Sequence, residues 1–138
     1  MSLLIGFGLV ASLGIGHHFA LLALKGLVAD ARERPNQSIV TAFVGLLSIH
    51  LVEILFFAVS YRILLNWDWI GHLGGSAMTW SDLIYFSGIN FTTLGYTGID
   101  ATGQIRLIIM MQSLGGFMIL TWSATFIYSV WQKAYDGL

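Results

Sequence analysis

The length of the uncharged runs constrains this sequence most. Residues 3–24 contain no Asp, Glu, Lys or Arg; about 22 helical residues at about 1.5 Å each reach about 33 Å, enough to cross a hydrocarbon core of about 30 Å. Residues 38–61 form a second run with one carboxylate, Glu53, and residues 107–131 a third with no formal charge. Three transmembrane helices are therefore expected. Only 9% of the residues are charged and 57% are hydrophobic, which excludes an ordinary soluble domain. The net charge of −1 leaves no basic field for a nucleic acid, so no nucleic-acid partner is expected. The absence of Cys excludes a disulfide framework, a thiolate metal site and a cysteine nucleophile. A cleaved leader would place a positive side chain ahead of its apolar run, whereas the first basic residue is Lys25, so the first run is expected to remain as a span.

Residues 83–99 are also uncharged, yet they include Gly88, Asn90, Thr92, Thr93, Gly95, Thr97 and Gly98. Such a stretch is too polar and too poor in helix formers to face lipid as a helix. Non-helical backbone at membrane depth survives only where protein or water satisfies its amides and carbonyls, so a re-entrant segment is predicted. Thr79 and Asp82 have capping-box spacing, which predicts a short helix over 80–91. Lys25, Arg32 and Arg34 lie in the first loop and Lys133 in the tail, against Arg62 and Arg106 across the other loops. Retention of basic residues on the inner side then places the amino terminus outside and the carboxyl terminus in the cytoplasm, in a plasma (inner) membrane.

A helix that stops at mid-membrane points its carbonyl end inward, where the dipole favours a cation. Glycines then let the returning backbone aim successive carbonyls to one side in place of an ion's water shell. The expected coordinating groups are the carbonyls of Thr93, Leu94, Gly95 and Tyr96, with the Thr93 hydroxyl at the inner end and Thr97 at the mouth. One copy of such a ladder covers only one side of an ion, so several chains must surround an axis.

Tyr85-Phe86-Ser87, Phe91-Thr92-Thr93-Leu94-Gly95-Tyr96, Arg106 and the pair Gly115-Gly116 together resemble the outer helix, pore helix, filter and inner helix of the potassium channel pore module. The resemblance implies an all-α integral membrane fold of three transmembrane helices, a re-entrant pore helix and an extended filter loop, assembled as a homotetramer in membrane lipid. It divides the chain into an N-terminal helix and cytoplasmic loop over 1–37 and a pore domain over 38–138. The pore domain comprises an outer helix 38–63, a pore helix 80–91, a filter 92–98 and an inner helix 103–131. Monovalent cations, with K+ held at Thr93, Leu94, Gly95 and Tyr96, would pass passively, without a cofactor or catalysis. Ser87, Asn90, Thr92, Gly98 and Asp100 would support the filter, and Gly115 or Gly116 would bend the inner helix or let helices pack closely. The sequence departs from the family where Thr97 and Gly98 replace a second glycine and an Asp, and where Leu94 replaces Val. A positive φ at Thr97 would be strained, so either Gly98 takes the turn or the outermost ion site is reshaped, which keeps a poorly selective cation channel as an alternative.

Gly8, Ser12, Gly16 and Ala20 recur every four residues, a stripe expected to be a contact face of the first helix. Glu53 and His50 share a helix face, and His17 and His18 fall at similar depth on an antiparallel neighbour. This polar cluster reads as a hydrogen bond between helices, a proton sensor, or a metal or haem site of a redox membrane protein using His17, His18 and His50. A non-conducting accessory subunit is a third class.

Overall fold

The computed structural model describes residues 1–28, 30–75 and 77–136. Four helices follow in order, α1 (Ser2–Leu27), α2 (Pro35–Leu64), α3 (Trp80–Phe91) and α4 (Ile105–Tyr135). Two two-residue strands, β1 (His72–Leu73) and β2 (Ala101–Thr102), pair antiparallel between the loops that flank α3. The chain is thus an all-helical membrane protein, with α1, α2 and α4 each long and apolar enough to span a bilayer.

The helix ends depart from the predicted ones for local reasons. The second helix starts at Pro35, not at 38, because a proline at the first helical position has a preset φ and no orphan N–H to lose. It ends at Leu64, one residue beyond the expected limit. The last helix starts at Ile105, not at 103, because Gly103 has φ +82° and belongs to the turn before it. Its far end lies at Tyr135 rather than 131.

α1 and α4 run parallel and pack directly on one another, with α2 antiparallel to both. Ser2 Oγ donates to Gln104 Oε1 (3.1 Å) at the loop end, and Tyr135 and Asn36 meet at the opposite end (3.5 Å). The core lies where α2, α3 and α4 converge and includes fully buried Phe57, Leu83, Phe91, Ile105 and Ile108. A second cluster, Leu21, Leu24 and Leu46, joins α1 to α2, and Gly45 makes room there because a Cβ would strike the Leu24 side chain.

The small-residue stripe on α1 is not the contact face within the subunit. Gly8, Ser12 and Gly16 are exposed, and nothing in the chain lies within 4 Å of a Cβ built on Gly8 or Gly16. The buried face instead carries Gly6, Leu13, His17, Leu21 and Leu24. Close approach to α1 occurs where Gly6 meets Met111, where Gly115 meets Val10 and where Gly45 meets Leu24, none of them on the stripe.

The strand pair closes the loop region. Gly71, at φ +108°, leaves space that a Cβ would take from the Thr102 carbonyl. Ile105 N–H donates to Ile70 O (2.7 Å) and Gly74 N–H to Asp100 O (2.8 Å). The segment that enters α3 is therefore tied to the segment that leaves the predicted filter.

Candidate functional site

The short helix α3 starts where the sequence predicts. Thr79 Oγ1 accepts from Asp82 N–H (3.2 Å), while Thr79 N–H (2.9 Å) and its hydroxyl (2.7 Å) donate to Asp82 Oδ2, completing a capping box. The Thr79 side-chain bond and then its backbone bond hold the Asp82 carboxyl below its usual range. Arg62 braces the same entry from α2: its Nη1 donates to Met78 O (2.9 Å) and its guanidinium lies 5.5 Å from the Trp80 ring centroid.

A buried polar chain fixes the height of α3. The Tyr61 hydroxyl on α2 donates to Gln112 Oε1 on α4, and Gln112 Nε2 donates to Ser87 Oγ (2.9 Å) and Ser87 O (3.2 Å). Ser87 Oγ in turn donates to Ile54 O on α2 (2.7 Å). Each link lies where an unpaired polar group would be costly, so the chain holds three helices in one relative position. Ser87 was a predicted support; Tyr61 and Gln112 were not. Gln112 was nonetheless detectable as the only side-chain amide in the third apolar run, because such a group inside a span faces protein. Asn90, also predicted, is buried and donates to Phe86 O (2.8 Å), one turn back.

The exit from α3 is a Schellman motif. Thr93 N–H donates to Asn90 O (3.0 Å) and Leu94 N–H to Ile89 O (3.1 Å), with Thr93 left-handed at φ +63°. A β-branched residue there is strained. The Thr92 hydroxyl bonds back to Gly88 O (3.0 Å), so Thr92 and Thr93 finish the helix end, and residues 94–97 have no regular secondary structure. Gly95 (φ +71°) and Gly98 (φ +65°) supply further left-handed turns.

At the outer end the first of the two alternatives holds: the positive φ falls on Gly98, and the Thr97 hydroxyl accepts from Ile99 N–H (3.1 Å), which engages it in a local turn. The Asp100 carbonyl receives the Gly74 N–H, which draws it to the strand pair, and its side chain is exposed in the single chain. The stretch between is bare on one side. Leu94 is 71% and Tyr96 88% exposed, and among the described residues nothing beyond the chain neighbours lies within 4 Å of a Cβ built on Gly95 or Gly98.

Gly115 and Gly116 are close-contact points, and α4 continues through both. A Cβ on Gly116 would strike the Phe91 carbonyl at the end of α3, and one on Gly115 would come 2.6 Å from Val10 Cγ1 on α1. The pair therefore seats the inner helix against α3 on one side and α1 on the other.

Three members of the predicted polar cluster converge and one does not. Glu53 Oε1 lies 2.7 Å from His17 Nδ1, and Oε2 lies 2.8 Å from His50 Nδ1. His18 is exposed and lies beside Trp122 and Phe19 instead, because it follows His17 by one residue, about 100° around the helix. The haem alternative with His17, His18 and His50 does not fit. The His17 and His50 rings stack at 8° with centroids 5.8 Å apart, whereas paired axial ligands must point at an iron from opposite sides.

A protein-family model described as an ion channel matches residues 49–133, which run from within α2 through α3 and the predicted filter to near the end of α4. The match covers more than half of the chain, and the chain belongs to this family of two-helix potassium channel pore modules. It is an integral membrane protein of the ion channel class, with α1 lying outside the matched region. Comparison with curated proteins and with solved structures returns no match.

Proposed function

We propose that four copies of this chain surround an axis and conduct potassium passively through a filter built from the backbone carbonyls of Thr93, Leu94, Gly95 and Tyr96. The observation that carries the reading is the bare strip from Leu94 to Gly98, delivered by a helix that a buried polar chain holds at fixed height. Within one subunit its exposed glycines and apolar side chains have no partner, and symmetry-related copies would cover them while turning carbonyls to the axis. The exposed α4 residues Met110, Leu114 and Phe117 lie three or four residues apart on one face, suited to the same axis. The cation moves down its gradient between closely spaced oxygen sites, with no catalytic step. The orientation puts the filter mouth and amino terminus outside and the carboxyl terminus in the cytoplasm of a plasma (inner) membrane.

A second reading, a cation channel of low selectivity, rests on Thr97 and Gly98. With the Thr97 hydroxyl bonded to Ile99 N–H and Gly98 carrying the turn, the outermost coordination layer differs from a repeated glycine pattern. Potassium efflux from proteoliposomes tests conduction itself. Gly95→Val at φ +71° should abolish efflux while leaving the oligomer intact by gel filtration, because a β-branched side chain resists that conformation. Equal efflux from wild type and variant would rule out the filter.

A further inference from the structure

Away from the ion path, His17 of α1 and His50 and Glu53 of α2 form a compact donor set, with one ligand atom from each residue within 4.8 Å of the others. Both imidazoles turn Nδ1 to the same carboxylate. We propose that His17, His50 and Glu53 bind a divalent transition-metal ion of the zinc class, which joins the added helix α1 to the pore module. Two imidazoles and one carboxylate match the His2Glu zinc donor set, and imidazole favours zinc, copper or nickel over magnesium or calcium. A single carboxylate offers too few oxygens to hold a hard cation. Around a common ion at tetrahedral angles the ligand atoms would stand about 3.3 Å apart, and one ligand atom from each of the three residues already lies within 4.8 Å of the others.

The surroundings meet the other requirements of such a site. His17 Nε2 lies 3.3 Å from Ser123 Oγ on α4, so with metal on Nδ1 the ring proton sits on Nε2 and donates to Ser123. His17 is 1% exposed and Glu53 5%, which limits competition from bulk water. A groove of about 420 Å3 between α1 and α2 has His17 and Glu53 in its lining beside Gly16, Ala20, Val52 and Phe56. Gly16 and Ala20 of α1 contribute small residues to its wall. Binding replaces the protons between each Nδ1 and Glu53. The proton of a neutral imidazole moves to Nε2, and a protonated imidazole releases one proton to solvent.

The test uses chelator-stripped full chain in detergent, titrated with Zn2+ by calorimetry and with Co2+ by visible absorption. It reads metal uptake, not conduction, so its outcome is independent of the channel reading. The expected result is one saturable site per subunit, with the absorption bands of four-coordinate Co2+. His17→Ala and His50→Ala should weaken affinity about 100-fold, and Ser123→Ala about 10-fold. His18→Ala and His72→Ala should leave it unchanged. Glu53→Gln keeps the side-chain volume and one acceptor, and it should also lose the site while retaining the gel-filtration profile, which separates ligand loss from unfolding. The proposal is overturned if stripped wild type takes up no metal saturably, or if affinity survives in folded Glu53→Gln or His50→Ala.

Discussion

At the residue scale, the fold depends on a few polar and small side chains inside apolar helices. Gln112 contacts both Tyr61 and Ser87, so Gln112→Leu strands a buried hydroxyl and a buried serine at once. It should destabilise the protein by about 3 kcal/mol, read as a lowered midpoint in thermal or denaturant unfolding in detergent. Gly116→Ala drives a methyl against the Phe91 carbonyl and should cost about 1–3 kcal/mol in the same assay, whereas Gly16→Ala, which meets nothing in the subunit, should stay within about 0.5 kcal/mol. Sequence alone pointed to Gly115 and Gly116 but left bending and packing open, since a glycine records permission and not its use. The same limit applies to Thr97 and Thr93. Strain at Thr97 was expected only if the family's outer turn were kept, and the turn falls on Gly98 instead; among the described residues the left-handed non-glycine is Thr93, placed there by where α3 stops and its Schellman bonds close.

At the element scale, legibility follows the strength of the local signal. The three long helices follow from uncharged runs of membrane length, and the start of α3 from the Thr79 and Asp82 pair. Strands of two residues carry no alternation, so β1 and β2 were invisible before the glycines at 71 and 103 were seen to bring their backbones together. The stripe on α1 misled because small side chains mark a contact only where a partner arrives, and within the subunit α1 meets its neighbours mainly through Leu13, His17, Leu21 and Leu24. The cap of α3 also predicts an acid response. Asp82 has a carboxyl pKa below its unfolded value of about 4, so its cap stabilises α3 fully above that pH and is lost as pH falls through the lower folded value. Melting temperature should therefore fall more steeply on acidification below about pH 4 in wild type than in Asp82→Asn, which lacks that titration. Parallel acid slopes in the two proteins would contradict the assignment.

At the scale of the whole molecule, the chain carries an ion-channel family module with α1 packed along α4. Gly6 on Met111, Val10 on Gly115 and His17 on Ser123 place α1 along α4, while Gly116 on Phe91 places α4 under the pore helix. A displacement of α4 would thus be felt both by α1 and by the end of the helix that carries the filter. Family membership accounts for residues 49–133, and α1 lies outside the matched region. The need for several copies follows from the chemistry of coordination, since one strip of carbonyls cannot surround an ion, whereas the number four is what the family resemblance implies. The most direct test is the reversal potential of the reconstituted protein with potassium on one side of the bilayer and sodium on the other. Selective conduction through the Thr93 to Tyr96 carbonyls predicts a reversal potential displaced strongly in the direction set by potassium. A reversal potential near zero would contradict selectivity for potassium, and the absence of current from correctly assembled tetramers would contradict the channel itself.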